Sequence, residues 1–122
     1  MAEHNHKAYW ETLDSLIGAT SIVIDRHEGS AHPEYTNMIY PLNYGYLAGA
    51  TSADGGGIDV FIGKSGEKSV VGIVCTVDLV KRDSEVKILL GCSEGEMTQV
   101  VDFLNDGDGM QCLLVKRPYG GG

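Results

Sequence analysis

Residues 70–90 read VVGIVCTVDLVKRDSEVKILL, two runs rich in Val, Ile and Leu on either side of the charged segment KRDSE. Short apolar runs with many β-branched residues, bounded by polar turn residues, are typical of β-strands. The stretch therefore predicts two consecutive strands, Val70–Val80 and Val86–Leu90, joined by a charged turn at residues 81–85. Such a pair indicates a fold built mainly from β-structure.

Around this pair the chain carries further short strands and two helices. Apolar residues recur at helical spacing in Lys7–Ile17, and a second helix is predicted to begin at Ser93, where Glu96 can complete a capping box. Three more strands are predicted at Ser21–Asp25, Ile58–Ile62 and Gln111–Lys116. Residues 26–46 have the composition of a loop, with a short strand near Met38–Tyr40. This order predicts a mainly β fold of the α+β class, a small β-barrel with flanking helices.

Length and charge narrow the classes of function. The 122 residues predict one domain over residues 1–119, followed by a disordered tail at 120–122. Lys and Arg number 9 and Asp and Glu number 17, a net charge of −8 that disfavours nucleic-acid binding. The longest charge-free apolar stretch, residues 69–77, is too short for a membrane helix, and no secretion signal is indicated. Three cysteines without zinc-like spacing predict reduced thiols and a cytoplasmic location.

Four acidic residues lie where a carboxylate could bind metal. Asp54 begins a triple-glycine turn, and Asp59 lies in an apolar strand. The ordinary interpretation is that Asp54 caps its turn and Asp59 faces solvent at a strand start. Asp83 and Glu85, with Lys87 nearby, fall in the hairpin turn, where charged residues are usually only solvated. The four hard oxygen ligands together nevertheless suit Mg²⁺ and a phosphate ligand better than zinc.

The geometry of the hairpin leaves two arrangements open. If the strand pleat continues through the charged segment, side chains at 81, 83, 85 and 87 share one face. If the chain turns at Arg82–Ser84, only Glu85 and Lys87 need to share a face.

Two spaced motifs carry a resemblance to a known family. The segment Tyr40-Pro41-Leu42-Asn43-Tyr44-Gly45-Tyr46 is followed by Asp54-Gly55-Gly56-Gly57-Ile58-Asp59-Val60. These resemble the Tyr-Pro-x-Asn-Tyr-Gly-(Tyr/Phe) and Asp-Gly-Asp-Pro-x-Asp-Val motifs of the soluble, Mg²⁺-dependent inorganic pyrophosphatases. A short bacterial branch of that family is similar upstream as well, at Asp25, Arg26, Gly29, Ser30, His32, Pro33 and Tyr35. The similarity spans about residues 22–90.

The resemblance implies a five-stranded, OB-like β-barrel and Mg²⁺-dependent hydrolysis of pyrophosphate, with Mn²⁺ as an alternative ion. It also implies a cytoplasmic homo-oligomer whose ligand is pyrophosphate or another small phosphorylated compound. The implied metal ligands are Asp54, Asp59, Asp83 and Glu85. The implied substrate contacts are Arg26, His32, Tyr44 and Lys87, and Asp59 and Tyr44 are the implied catalytic residues.

The chain departs from the family motif at several positions. Gly56 stands where the family has its middle acid, the candidate for activating water, and Gly57 stands where it has proline. Upstream, Ser21 and His32 occupy the positions of a lysine and an arginine, and Val23 that of a glutamate. The departures leave two further hypotheses open. One is a weakened relative that binds metal and a phosphorylated ligand without rapid turnover, and the other is a structural or regulatory subunit without a ligand.

Overall fold

The structure, a computed structural model, describes residues 6–107 and 109–118. It contains two helices and six strands in this order: α1 (Lys7–Gly18), β1 (Ser21–Arg26), β2 (Asn43–Ala48), β3 (Asp59–Ile62), β4 (Val70–Asp78), β5 (Asp83–Leu90), α2 (Glu94–Asn105) and β6 (Met110–Lys116). The predicted class, mainly β with two helices, is confirmed. The tail expected at 120–122 lies outside the described residues.

The six strands form one mixed sheet in the order β1-β2-β3-β5-β4-β6. Strands β3 and β5 are parallel, and every other neighbouring pair is antiparallel. Within the described ranges no strand pairing joins β1 to β4 or β6, so the sheet is not closed. The expectation of a closed, five-stranded barrel is therefore not confirmed: β6 adds a sixth strand, and the sheet has two edges.

Apolar side chains cover both faces of the sheet. Val60 and Phe61 are consecutive and fully buried, but Phe61 packs in the cluster that contains α2, and Val60 packs in the cluster that contains α1. Ile88 and Leu89 divide in the same way. Because consecutive side chains of a strand point to opposite faces, one helix lies against each face. The odd-numbered side chains of β5 therefore share the α2 face.

The β4–β5 hairpin differs from its prediction. The chain turns at residues 79–82, and β5 begins at Asp83, three residues before the predicted start. Arg82 adopts φ 58° in this turn. Asp78 Oδ1 accepts hydrogen bonds from the backbone N–H groups of Val80 and Lys81 at 2.9 and 3.1 Å, and so caps the turn. The placement of the turn at residues 81–85 was wrong, and Asp83, Glu85 and Lys87 share one face.

Strand β2 was missed, because its segment is rich in Asn, Gly and Tyr. Gly45 explains its composition: a β-carbon there would collide with the carbonyl group of Val23 on the neighbouring strand β1. Only glycine allows the two backbones to approach this closely. The strand expected near Met38–Tyr40 is reduced to an isolated bridge between Ala31 and Ile39.

Helix α2 begins as predicted. The Ser93 hydroxyl accepts the backbone N–H of Glu96, and Glu96 Oε1 accepts the backbone N–H of Ser93. The second oxygen of Glu96 accepts the backbone N–H of Lys64 at 2.9 Å. Hydrogen bonding to the Ser93 backbone holds the pKa of Glu96 below its ordinary value. One carboxylate thus joins the start of α2 to the loop after β3.

Membrane insertion through a helix finds no support in the described ranges, where neither helix has the length and apolar character needed to cross a bilayer.

Candidate functional site

A pocket of about 180 Å³ opens on the α2 face of the sheet. Its floor comes from β2, β3 and β5, and its walls come from residues 32–40, the β4–β5 turn and the end of α2. Its lining includes both charged and aromatic side chains: His32, Glu34, Tyr35, Met38, Tyr40, Tyr44, Asp59, Phe61, Asp78, Lys81, Asp83, Glu85, Lys87, Phe103, Leu104, Gly107 and Met110. Four of the residues singled out from sequence for their charge (Asp59, Asp83, Glu85 and Lys87) are among them.

Lys87 is the buried centre of the polar half. Only 6% of the residue is exposed, and its ammonium donates to Asp59 Oδ2 at 2.9 Å and to Glu85 Oε2 at 3.1 Å. A third hydrogen bond runs to the Tyr44 hydroxyl at 2.9 Å. Burial by itself would lower the pKa of Lys87, but the Tyr44 oxygen and the Asp59 carboxylate outweigh burial and raise it. These contacts therefore favour the charged form of the side chain.

Tyr44 links the lysine to the first acid. Because an ammonium can only donate, the hydroxyl accepts from Lys87 and donates its own proton to Asp59 Oδ2 at 2.6 Å. Its ring packs against Phe61 and Tyr40, with ring centroids 4.7 and 5.3 Å away. Burial raises the pKa of Tyr44 well above its usual range, so the phenol stays protonated. Tyr44 holds the orientation of Asp59 rather than supplying a charge.

Asp78 lines the pocket and was not recognised from the sequence. It is only 7% exposed and is paired in register with Asp83 across the β4–β5 hairpin. Carboxylates directly opposite each other repel unless a cation lies near them. Among the residues that the structure describes, the Asp83 carboxylate has no hydrogen-bond or ion-pair partner. The signal that could have revealed Asp78 is an acid at the end of an otherwise apolar strand.

Asp54 does not line this pocket. Its Oδ1 accepts hydrogen bonds from the Ser52 hydroxyl and from the backbone N–H of Gly56, and the Ser52 contact contributes most to lowering the pKa of Asp54. These contacts match the ordinary interpretation of a turn cap. Asp54 borders a second, more apolar cavity of about 400 Å³ under α1, whose lining also includes Asp59 and Glu85.

A side chain at Gly56 would lie close to the turn cap formed by Asp54 and Ser52. A β-carbon there would lie 3.3 Å from Asp54 Oδ1, and its φ is not in the left-handed region, which is occupied instead by Gly55 at φ 88°. A carboxylate at residue 56 would therefore meet Asp54 first.

His32 and Arg26 have different positions relative to the pocket. His32 lines it, and its Nδ1 accepts the backbone N–H groups of Glu34 and Tyr35 at 3.0 and 3.2 Å. Burial lowers the pKa of His32, which favours the neutral imidazole. The neutral ring can accept these two hydrogen bonds at Nδ1 and so stabilises the loop. Arg26 is paired with Tyr44 in the β1–β2 register but is not among the lining residues, and its guanidinium contacts Asp25 at 3.3 Å.

The carboxylates can be tested for their fit to a metal ion. In the ranges 6–107 and 109–118 there is no group of three or more His, Cys, Asp and Glu side chains arranged to hold one. Mg²⁺ does not require such a cage, because proteins commonly bind it through one or two carboxylates, waters and substrate phosphates. Asp59, Asp83 and Glu85 supply only hard oxygen donors, and the donor set fits Mg²⁺.

Comparison with known proteins gives no assignment: no model of a known protein family matches the chain, and no curated protein matches its sequence.

Proposed function

We propose that this protein is a Mg²⁺-dependent hydrolase of phosphoanhydrides that acts on pyrophosphate. The observation that carries the proposal is the convergence of Asp59, Glu85 and Lys87 in one pocket. Asp59 comes from β3 and the other two from β5, and Lys87 bridges both carboxylates. Carboxylates can hold a Mg²⁺ ion, and a nearby lysine can stabilise the charge of a phosphate bound to it.

The pocket residues divide the work by charge. One or two of the carboxylates of Asp59, Asp83 and Glu85, together with waters and phosphate oxygens, would hold the metal ion, which would neutralise phosphate charge and lower the pKa of a bound water. The Lys87 ammonium would attract the phosphate through its charge, because its three N–H groups already donate to Tyr44, Asp59 and Glu85. Tyr44 keeps Asp59 oriented. Asp54 and Arg26 enter this proposal only through the family resemblance, because neither lines the pocket.

The finer fold assignment belongs to the same proposal. The order β1-β2-β3-β5-β4, with β3 and β5 parallel, supports the proposal of an OB-like barrel that is open between β1 and β4. This order supports a pyrophosphatase-type barrel to which β6 has been added. The cytoplasmic location and the homo-oligomeric state rest on sequence reasoning and the resemblance alone.

A second candidate function is binding of a metal and a phosphorylated ligand without rapid turnover. Two observations favour it: glycine occupies position 56, and Asp54 is engaged by its own turn. A positioned general base typically contributes about 10²–10⁴-fold to a rate, so a protein without one would be slow.

Phosphate release from pyrophosphate, measured with and without Mg²⁺, tests the proposal. We expect Mg²⁺-dependent release that Asp59→Asn lowers by about 10²-fold, since the variant loses a charge at the metal and at Lys87. The matched control is Asp102→Asn, an exposed acid on α2 that does not line the pocket.

Absence of release in the parent would exclude the hydrolase. A calorimetric titration with Mg²⁺ and pyrophosphate then separates the second candidate, which binds both, from a structural subunit, which binds neither.

A further inference from the structure

The pocket has an apolar half that pyrophosphate does not use. Besides the charged floor, the pocket has an apolar wall built from Tyr35, Met38, Tyr40, Phe103, Leu104 and Met110. These residues come from the loop before β2, from the end of α2 and from the start of β6. Inorganic pyrophosphate has no apolar atoms, so a site for it alone gains nothing from such a wall. Ligand pockets usually pair an apolar lining with a few polar groups that match both parts of the ligand.

Three rings form a row along this wall. The His32 and Tyr40 rings are nearly parallel, with an interplanar angle of 9° and centroids 6.1 Å apart. The Tyr35 ring lies 5.1 Å from His32 at an angle of 44°. Tyr40 is buried, whereas Tyr35 is 51% exposed. The row therefore runs from the buried Tyr40 to the half-exposed Tyr35.

The loop that carries Tyr35 is held in place by hydrogen bonds. The backbone N–H of Tyr35 donates to His32 Nδ1, and the backbone N–H of Met38 donates to the Tyr35 carbonyl at 2.8 Å. A fixed backbone presents the ring at little entropic cost, which favours a recognition role over a passive surface position.

The charge of the pocket decides how the anionic end can bind. Its lining contains five acids but only two lysines: Glu34, Asp59, Asp78, Asp83, Glu85, Lys81 and Lys87. A bare polyanion would be repelled by this excess of negative charge. A phosphate group must therefore enter with a divalent cation.

From the apolar wall and the charged floor we propose that the preferred ligand is a nucleoside diphosphate or a compound of the same class, a magnesium-complexed diphosphate bearing a flat aromatic group. This inference rests on the proposed function, because the diphosphate would bind through Mg²⁺ to the same carboxylates and would lie near Lys87. The cavity of about 180 Å³ is too small to enclose the whole ligand. The flat group would instead lie across the mouth, stacked on Tyr35.

Titration calorimetry with ADP and with pyrophosphate, both at the same Mg²⁺ concentration and ionic strength, tests this inference. Stacking of one base on an aromatic side chain corresponds to a change in affinity of about fivefold to about 10²-fold. We expect ADP to bind at least about fivefold more tightly than pyrophosphate. Tyr35→Ala should remove this difference and leave pyrophosphate binding unchanged, while Tyr35→Phe should retain it. Tyr9→Ala is the matched control, since Tyr9 is 46% exposed on α1, outside the pocket.

The outcomes separate the two proposals. If pyrophosphate binds and is hydrolysed but ADP binds no more tightly, the preferred ligand class is wrong and the hydrolase stands. Equal effects of Tyr35→Ala on both ligands would also overturn the stacking contact. If ADP shows the predicted affinity and Tyr35 dependence while pyrophosphate is not hydrolysed, the hydrolase alone fails. If neither ligand binds in the presence of Mg²⁺, both proposals fail.

Discussion

Lys87 and Asp59 lie side by side on the parallel strands β5 and β3, and the lysine ammonium is 2.9 Å from Asp59 Oδ2. Val60 and Ile88 are paired in register across these strands, and Asp59 and Lys87 directly precede them. The ion pair is thus fixed by strand register rather than by flexible side chains. The negative charge of the pocket is partly neutralised before any ligand arrives.

Removing the lysine charge should lower the stability of the fold. Lys87→Met leaves Asp59 and Glu85 without their shared cation, and we expect a loss of about 1–3 kcal/mol in the free energy of unfolding. The loss stays below that of a fully buried pair because 29% of the Asp59 side chain and 43% of the Glu85 side chain are exposed. Denaturant unfolding measures it, and Mg²⁺ should restore more stability to this variant than to the parent.

Lys64→Met is the control for this prediction. Lys64 pairs with Glu28 at 3.2 Å on the surface, and such pairs contribute about 0–1 kcal/mol. Equal destabilisation by the two substitutions would contradict a special role for the buried lysine.

Loss of the Tyr44 hydroxyl should affect ligand binding through Asp59. Tyr44→Phe keeps the ring contacts with Phe61 and Tyr40 but removes the donor to Asp59 and an acceptor of Lys87. We expect a fold that survives and pyrophosphate affinity that falls about tenfold, because Asp59 loses the hydrogen bond that orients it and Lys87 loses one of its three acceptors. Circular dichroism and calorimetry on the same samples measure the two effects. Unchanged affinity would show that Asp59 needs no orienting partner.

An acid introduced at residue 56 should contact the Asp54 turn rather than the pocket. The family motif predicts that Gly56→Asp restores a general base and raises hydrolysis. Because a side chain there lies against Asp54 Oδ1, outside the pocket, we expect unchanged Mg²⁺ affinity and a rate gain below the factor of about 10²–10⁴ of a positioned base.

Phosphate release and Mg²⁺ titration measure both quantities. Gly55→Asp is the control, because φ 88° at that position strains any side chain and should lower stability. A rate gain of about 10²-fold or more for Gly56→Asp would instead mean that the turn closes over the pocket.

The neutral state of His32 should make stability depend on pH. The folded protein holds the pKa of His32 below the value of the unfolded chain, mainly through burial, so the unfolded chain takes up the proton first as pH falls. The contribution of His32 is therefore complete above pH of about 6.5 and is lost below it. Denaturant midpoints between pH 8 and 5 should fall less for His32→Asn, whose amide oxygen can replace Nδ1. His27→Asn, an exposed control, should follow the parent.

The sequence predicted those elements that a local pattern determines. It predicted less well those elements that depend on contacts with distant parts of the chain. Helix α2 was predicted at its first residue because Ser93 and Glu96 form a capping box within one turn. Strand β5 was predicted to begin three residues late, because Asp83 and Glu85 were interpreted as solvated turn residues. They are strand residues that face a pocket. The pocket is formed by α2 and residues 32–40, which are distant in sequence from the hairpin, so the local pattern could not reveal it.

The candidate site shows the same division. The pairing of Glu85 with Lys87 follows from their spacing of two along a strand, which sequence alone provides. Asp78 was missed because its nearness to Asp83 depends on where the hairpin turns. Asp54 was grouped with Asp59 by their shared motif, although the contacts of Asp54 are confined to its own turn.

The missing side chain at Gly45 has a consequence for how the sheet assembles. A slip of β2 by one residue would bring the β-carbon of Tyr44 or Tyr46 to the place beside the Val23 carbonyl that only a hydrogen atom fits. The slip would also turn every β2 side chain to the opposite face. Gly45 therefore disfavours β1–β2 pairings that are shifted by one residue. The geometry of the pocket depends on this glycine, because the observed register of β2 is the one that points Tyr44 at Asp59.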